Sequence, residues 1–204
     1  MSRPGKIVCV GRNYVEHARE LGNEVPKEPL LFLKPPSSVI GSGDTIVLPP
    51  QSSQIEFEGE IGVLIGRRIR HASEAEARAA IDGIAAVNDV TARDLQKTDG
   101  QWTRAKGFDS FCPLGNVETA PADLDALTVV TRVNGAQRQR GVARDMAFNI
   151  PALLAYITTI MTLEPGDLIA TGTPAGVGPL APGDEVEVEI LGLSLVRNTV
   201  AAAR

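Results

Sequence analysis

The stretch that decides the fold is QIEFEGEIGVLIG, residues 54–66, in which three carboxylates lead into an apolar run. Alternate side chains of a β-strand point to the same face, so Glu56, Glu58 and Glu60 form one acidic row with neighbours about 7 Å apart. A solvated strand face is one explanation of this row. A bound cation is favoured, because the row runs directly into IGVLIG and because Gly59 leaves room for a ligand. Two of these carboxylates and a third oxygen ligand would suit a hard divalent cation.

The composition is that of an ordinary globular protein, and it argues against several classes of partner. The chain has 204 residues, 43% hydrophobic and 22% charged, which predicts a single domain over residues 1–204 with a sizeable core. A net charge of −5, an aromatic content of 4% and the lack of a Lys/Arg-rich run argue against nucleic acid as a partner. No apolar run has the length of a membrane span, and the N-terminus lacks the apolar core of a signal peptide. We therefore expect no membrane partner, a cytoplasmic location, and Cys9 and Cys112 as small core residues.

Short β-type segments separated by Gly, Pro and Asp dominate the chain. The dipeptide Asn134-Gly135 lies between two alternating segments, which is a strong signal for a hairpin. The segment EVEVEI alternates as a strand with one wet face should. The predicted strands cover residues 6–10, 30–33, 45–48, 56–65, 83–88, 127–133, 137–142, 167–171, 185–191 and 194–199. This pattern predicts an α+β, mainly β domain.

Helices are fewer and shorter than the strands. Ser73 and Glu76 form a capping box that opens a helix continuing to about residue 82. Residues 150–161 are apolar on nearly every side and predict a buried helix packed on a sheet. Residues 14–21 predict a weak helix.

Asp89 is a further candidate for an acidic site. It stands where the apolar segment IAAVN ends, which is a common place for a functional residue. It could equally be the N-cap of a short helix formed by TARDLQ. The local pattern does not separate these two interpretations.

Four motifs occur in a characteristic order: EGEIGVLIG, NDVTARDLQ, AKGFDSFCPLG and IATGTPAGVG. In this order and spacing they resemble the fumarylacetoacetate hydrolase family, and in particular its short bacterial and mitochondrial members. These include acylpyruvases, oxaloacetate decarboxylases and keto–enol isomerases of carboxymethyl-hydroxymuconate. The resemblance extends from GRNYVEHARE to LSLVRNTV. It implies a mixed β-sheet roll with short peripheral helices, and a homodimer.

The resemblance places the metal ligands of the family on Glu58, Glu60 and Asp89. It implies Mg²⁺ or Mn²⁺ as the cofactor, with Ca²⁺ as a further option, and oxygen ligands favour these ions over zinc. Glu56 lies one step outside the family's E-x-E pair. We expect it to support the ligands from outside or to face solvent.

The same resemblance implies four residues that contact a keto-acid substrate. Lys106 would pair with substrate oxygens and with the charge that develops in the transition state. Arg93 would hold the substrate carboxylate, although a salt bridge to Asp94 or another acid is the alternative. Gln96 would hydrogen-bond the substrate, and Thr173 would bind its carboxylate.

His17 and Glu20 lie three residues apart in the weak helix and therefore share one face. In the acylpyruvase-like members of the family, a pair at these positions acts on water: the glutamate orients the imidazole, which takes a proton. Two polar residues on an exposed helix are the alternative. We expect residues 14–28 to act as a lid over the substrate. Lys34 matches a family motif, but the sequence assigns it no role.

These residues predict an enzyme, namely a metal-dependent hydrolase that cleaves a C–C bond in acylpyruvate-type 2,4-diketo acids. The cation would stabilise a developing enolate. Decarboxylation of oxaloacetate and isomerisation or tautomerisation of an unsaturated diacid are alternatives on the same site. A metal-binding protein without turnover is the remote alternative.

Overall fold

The computed structural model describes residues 3–20, 22, 24 and 26–203. The helices are α1 (Val15–Glu20), α2 (Glu74–Arg78), α3 (Arg93–Thr98), α4 (Thr103–Lys106) and α5 (Ile150–Ile160). The strands are β1 (Ile7–Gly11), β2 (Leu30–Lys34), β3 (Val39–Ile40), β4 (Thr45–Leu48), β5 (Ile55–Phe57), β6 (Gly59–Ile65), β7 (Ile81–Asn88), β8 (Thr91–Ala92), β9 (Cys112–Pro113), β10 (Glu118–Thr119), β11 (Thr128–Val133), β12 (Ala136–Val142), β13 (Leu168–Ala170), β14 (Gly178–Pro179), β15 (Glu185–Ile190) and β16 (Ser194–Ala202).

Two mixed sheets form most of the molecule. The six-stranded sheet has the order β10-β7-β6-β13-β1-β2, and its β1 and β13 are parallel. The five-stranded sheet has the order β12-β11-β15-β16-β4, and its β16 and β4 are parallel. Smaller sheets join β14, β5 and β8, and β3 and β9. The predicted α+β, mainly β class with short helices is thus confirmed.

The predicted continuous strand over residues 56–65 is wrong. It divides at Glu58 into β5, which pairs with β14 and β8, and β6, which pairs with β7 and β13. Local hydrogen bonds replace the ladder at the break, because the backbone nitrogen of Glu58 donates to Asn88 Oδ1 and its carbonyl accepts from the backbone nitrogen of Asp89. The chain therefore changes sheets at the acidic row.

The five-stranded sheet packs directly on the strand that carries these carboxylates. A Cβ atom built on Gly59 would overlap Thr131 Oγ1 and would lie 3.2 Å from Val188 Cγ1. Both neighbours belong to the five-stranded sheet. Glycine is required at this position because the two sheets approach too closely for a side chain.

The main core lies between β6, the five-stranded sheet and α5. Ile61, Val63, Leu154, Ile157 and Val188 belong to one buried apolar cluster. Burial of this apolar surface is the dominant favourable contribution to folding. The apolar α5 therefore takes the buried position that the sequence predicts.

The predictions that depend on a few neighbouring residues, namely the capping box and the hairpin turn, are confirmed. Ser73 and Glu76 form the predicted capping box, although α2 ends at Arg78 because the apolar β7 begins at Ile81. Asn134 and Gly135 have φ values of 52° and 77° and join β11 to β12, so the predicted hairpin is confirmed.

Cys9 and Cys112 are buried free thiols, as predicted. The predicted end of the first helix at Leu21 lies outside the described residues, as do three positions of the predicted lid over residues 14–28. In the described part of the chain, no helix combines the length and the apolar character needed to cross a membrane.

Candidate active site

The three carboxylates proposed as metal ligands meet in one place. Glu58 lies at the break between β5 and β6, Glu60 lies in β6, and Asp89 directly follows β7. One carboxylate oxygen from each lies within 4.8 Å of the others, and all three residues are buried. The N-cap alternative for Asp89 is wrong, since Ala92 is the N-cap of α3 and Asp89 accepts hydrogen bonds from lysines.

Two buried lysines and one arginine surround this carboxylate cluster. Lys106 Nζ donates to Glu58 Oε2 at 2.8 Å and to Asp89 Oδ2 at 2.6 Å. Lys34 Nζ donates to Asp89 Oδ1 at 2.6 Å and to the carbonyl of Val90 at 3.2 Å. Charge-assisted bonds of this length fix the orientation of both carboxylates. Lys34, to which the sequence assigned no role, is therefore part of the cluster.

Glu60 differs from the other two carboxylates. Among the described residues, no basic side chain bonds to it, and its Oε2 accepts only from the backbone nitrogen of Gly172 at 2.8 Å. Burial raises the pKa of Glu60, and the charges of Asp89 and Glu58 raise it further. Burial opposes ionisation of Glu58 too, but the charges of Lys106 and Arg93 prevail and hold its pKa below the ordinary value. The cluster thus carries uncompensated negative potential at Glu60.

A set of carboxylate oxygens with this surplus of negative charge fits a hard divalent cation. Carboxylate oxygens are the ligands that Mg²⁺, Mn²⁺ and Ca²⁺ prefer, and a cation beside Glu60 would remove the like-charge repulsion. Glu58, Glu60 and Asp89 would hold such an ion. Lys34, Lys106 and Arg93 would keep two of these carboxylates oriented from outside.

Arg93 and Glu56 form an ion pair beside this cluster. Arg93 Nε donates to Glu56 Oε2 at 2.7 Å, and its Nη2 donates to Glu58 Oε1 at 2.5 Å. Its Nη1 donates to Gln96 Oε1 at 2.6 Å. The predicted alternative of a salt bridge holds for Glu56 and Glu58 but not for Asp94, which bonds Ser52 and Ser53 instead. Glu56 is buried and supports Arg93, so its solvent-facing alternative is wrong.

His17 and Glu20 form the predicted contact. His17 Nδ1 lies 3.2 Å from Glu20 Oε2, and the histidine is buried. Glu20 Oε1 also accepts from the backbone nitrogen of Gly176 at 3.0 Å. The helix face is therefore not simply exposed, because its histidine lines the same cavity as Glu58 and Glu60.

Thr173 lies in the wall of this cavity, but its hydroxyl group is already bonded. Its Oγ1 donates to the carbonyl of Gly59 at 3.0 Å and accepts from Gln139 Nε2 at 2.7 Å. Sequence reasoning missed Gln139, which stands in the polar segment QRQR of β12. Alternation does place it on the buried face, where its side chain is 1% exposed.

The cavity in front of the cluster has a volume of about 350 Å³, which is the size of a small-ligand site. Among its lining residues, Glu58, Glu60, Arg93, Lys106 and Thr173 are buried and define its inner end, whereas Arg12, Phe32 and Trp102 are partly exposed and define its outer end. Its lining also includes Val10, Gly11, His17, Gln96 and Lys97. The structure thus brings seven of the nine predicted site residues to one cavity, and the other two, Glu20 and Asp89, contact its lining residues His17 and Lys106.

The fold and the cavity together define a mainly β domain in which a buried cluster of carboxylates borders a cavity of small-ligand size. The chain belongs to the fumarylacetoacetate hydrolase family, because the family model for the fumarylacetoacetate (FAA) hydrolase C-terminal region matches residues 6–201. The resemblance seen in the sequence is confirmed.

Named relatives span nearly the whole chain. The mitochondrial oxaloacetate tautomerase FAHD1 of Arabidopsis thaliana is 47% identical over 201 residues, covering 96% of this chain and 90% of that protein. The human mitochondrial oxaloacetate tautomerase FAHD2A is 42% identical over 212 residues, covering 98% of this chain and 68% of that protein. The crystal structure of 5-carboxymethyl-2-hydroxymuconate delta-isomerase from Mycobacterium smegmatis has a TM-score of 0.92 and 40% identity, covering 99% of this chain and 80% of that one. The protein is thus an enzyme of this family. Since two of these relatives are mitochondrial, the expected cytoplasmic location stays a prediction.

Proposed function

We propose that this chain is a divalent-metal-dependent enzyme that enolises 2-keto acids, and that oxaloacetate tautomerisation is its reaction. The observation that carries the proposal is the placement of Glu58, Glu60, Lys106 and His17 around one cavity. The names of the two tautomerase relatives support the choice of oxaloacetate.

A Mg²⁺ or Mn²⁺ ion held by Glu58, Glu60 and Asp89 would supply electrostatic stabilisation of the negative charge that develops on the keto oxygen. Lys106 adds to this stabilisation, because its ammonium group is held at the inner end of the cavity. Burial opposes its charge, but Asp89 and Glu58 prevail and raise the pKa of Lys106, so it stays protonated. Arg93 and Gln96 border the same space and orient the substrate.

His17 is the residue that moves the proton. Its Nδ1 is engaged by Glu20, so Nε2 remains to take the proton from C3 of the keto acid. His17 then gives this proton to the keto oxygen on C2, which converts the keto form to the enol without any other reactant. Glu20 holds the imidazole in the required tautomer and is itself held by Gly176.

Hydrolysis of an acylpyruvate is the second candidate, and the His17–Glu20 contact is the observation that favours it. In this reaction, His17 takes a proton from water and the hydroxide adds to the distal carbonyl. The C–C bond then breaks to give a carboxylic acid and the enolate of pyruvate, which becomes pyruvate by taking the proton back from His17. Decarboxylation of oxaloacetate requires no attacking water and therefore no base. A 5-carboxymethyl-2-hydroxymuconate-type isomerisation would use His17 as the tautomerisation does.

The homodimer implied by the family is also a proposal. Exposed apolar side chains at Val47, Leu191 and Leu195 on and beside the five-stranded sheet offer surface for a second copy. Light scattering at micromolar concentration tests it, and a single monomer mass would refute it.

The test of the function follows the enol absorbance of oxaloacetate in dilute buffer with metal-stripped protein, before and after Mg²⁺ is added. Mg²⁺ without protein and the Glu60→Gln variant with Mg²⁺ are the controls. Metal-dependent acceleration of keto–enol exchange supports the proposal. If exchange stays at the rate of the buffer while acetylpyruvate yields pyruvate, the hydrolase reaction replaces it. Metal binding without turnover of either compound would favour the non-catalytic alternative.

A further inference from the structure

We infer that the outer end of the cavity is a subsite for a second carboxylate of the substrate, with Arg12 as its anchor. This inference deepens the proposed function, because it makes dicarboxylic 2-keto acids the preferred substrates over keto acids with an uncharged tail. It rests on the charge, the backbone and the surroundings of Arg12.

The backbone of Arg12 is held in an unusual conformation at the cavity mouth. Its φ of 59° lies in the left-handed region, which non-glycine residues rarely adopt. The next residue, Asn13, fixes this conformation: its Nδ2 donates to the carbonyls of Thr171 at 2.8 Å and Phe148 at 3.1 Å, and its Oδ1 accepts from the nitrogen of Phe148 at 2.9 Å. A residue strained in this way beside a binding cavity points to a functional role.

The charge of Arg12 is available to a ligand. Within the described part of the chain, no carboxylate or carbonyl accepts a hydrogen bond from its guanidinium group, although the residue lines the cavity. The other basic residues deeper in the site differ, because Arg93 and Lys106 each bond to Glu58. The outer end of the cavity therefore has a positive charge without a matching acid.

The walls around Arg12 are apolar and fixed. Phe32 and Trp102 pack edge to face with ring centroids 5.2 Å apart, and a Cβ on Gly11 would lie 3.1 Å from the Trp102 ring. Arg12, Phe32 and Trp102 line both this cavity and the groove beside it, which continues along β2. Apolar walls exclude water and strengthen an ion pair, and a guanidinium fork matches a carboxylate in geometry.

The two ends of the cavity thus recognise different groups. Glu58, Glu60 and Asp89 would hold the cation that offsets the charge of the 1-carboxylate end of the substrate, and Arg12 takes the anion at the outer end. Lys97 also lines the cavity but is exposed, so its charge is screened and contributes less. A short dicarboxylic 2-keto acid satisfies both ends, whereas an acyl tail leaves the Arg12 charge unmatched.

The experiment is equilibrium binding to Mg²⁺-loaded protein by calorimetry, with two pairs of keto acids of equal length. The pairs are 2-oxoglutarate with 2-oxopentanoate, and 2-oxoadipate with 2-oxohexanoate, in which a terminal carboxylate replaces a methyl group. We expect the wild type to bind the dicarboxylate at least about tenfold more tightly in one pair, as a bidentate charged contact supports. Arg12→Gln should lose this preference and bind the monocarboxylate as the wild type does.

Three variants complete the design. Arg12→Lys should keep part of the preference, Lys97→Gln should keep most of it, and Arg19→Gln, which changes an exposed arginine of α1, should keep all of it. Equal loss of affinity for both members of a pair in Arg12→Gln would overturn the subsite, and so would the absence of any preference in the wild type. Binding does not require turnover, so the two proposals can fail separately. A preference for dicarboxylates without tautomerase activity would retain the subsite and refute the proposed function. Tautomerase activity without this preference would retain the proposed function and refute the subsite.

Discussion

The side-chain oxygen of Gln139 accepts a hydrogen bond of 3.0 Å from the backbone nitrogen of Gly59. The amide nitrogen of the same glutamine donates to Thr173 Oγ1 at 2.7 Å and to the carbonyl of Pro174 at 2.8 Å, and Thr173 in turn donates to the carbonyl of Gly59. One glutamine of the five-stranded sheet thus fixes the residue that lies between the two glutamates of the acidic cluster. The spacing of Glu58 and Glu60 depends on a residue far away in sequence.

Gln139→Leu should weaken both stability and metal binding. The change removes the acceptor of the buried backbone nitrogen of Gly59 and one of the two bonds of the Thr173 hydroxyl group, which costs about 1–3 kcal/mol in the free energy of unfolding. Loss of an outer support of this kind lowers metal affinity about 10- to 100-fold. Urea unfolding and Mn²⁺ titration measure the two effects. Gln137→Leu changes an exposed glutamine of the same strand and is the matched control, and equal behaviour of the two variants would contradict the prediction.

Gly59→Ala should destabilise the protein, by about 1–3 kcal/mol, because the new methyl group overlaps Thr131 Oγ1 in a tightly packed region. Thr131 Oγ1 has no hydrogen-bond partner among the described residues, so Thr131→Ala removes the obstacle without breaking a bond. We expect the double variant to be more stable than the sum of the two single changes predicts, as measured by a double-mutant cycle in urea. Gly100→Ala, where a Cβ meets open space, is the control. If the effects of the two single changes on the free energy of unfolding simply add, the clash is not the cause of the destabilisation.

Short-range signals predicted much of the fold and of the site. The capping box at Ser73, the hairpin at Asn134 and the contact between His17 and Glu20 each depend on residues within three or four positions of one another. Asp89 and Glu60 were placed by motifs of the family, and the structure brings them together.

Long-range contacts account for what the sequence did not predict. The strand breaks at Glu58, where Asn88 at the end of β7 and Asp89 just after it bond the backbone of Glu58. Lys34 lies 55 positions before Asp89 in the sequence, and its buried bond to that carboxylate leaves no periodic signal. The alternation of polar and apolar residues predicts which face of a strand or helix is buried, but it does not predict which residues that face contacts.

Glu58→Gln should destabilise the metal-free protein, whereas Glu60→Gln should not. Glu58 bonds to Lys106 and Arg93, so removing its charge leaves two buried cations less compensated and costs about 3–5 kcal/mol. Glu60 has no basic partner among the described residues, so Glu60→Gln should leave metal-free stability unchanged or raised. Both variants should lose the increase in melting temperature that Mg²⁺ gives the wild type. Thermal unfolding with and without Mg²⁺ measures this, and an equal loss of metal-free stability would contradict it.

Asp94 should contribute stability that is lost in acid. Burial opposes its ionisation, but hydrogen bonds from Ser52, Ser53 and the nitrogen of Leu95 prevail and lower its pKa from 3.8 to about 2. Because the folded-state pKa lies below the ordinary value, the contribution is complete above about pH 4 and fades as the pH falls towards 2. The difference in melting temperature between the wild type and Asp94→Asn should therefore shrink over this range. Asp109→Asn, at an exposed residue, is the control, and a constant difference would refute the role of Asp94.

His17→Ala should separate the reactions that need a base from the one that does not. The buried imidazole is oriented by Glu20, so its removal should lower oxaloacetate tautomerisation and acetylpyruvate hydrolysis by about 10²- to 10⁴-fold. Decarboxylation of oxaloacetate should fall much less, because loss of CO₂ requires no proton transfer from carbon and no attack by water. Glu20→Gln keeps an acceptor for Gly176 but no longer carries the charge that stabilises an imidazolium, and should have a smaller effect than His17→Ala. Glu16→Gln, on the exposed side of α1, should leave all three rates unchanged. If His17→Ala catalysed tautomerisation and hydrolysis at the rates of the wild type, the histidine would be excluded as the base and another residue of the cavity would have to transfer the proton.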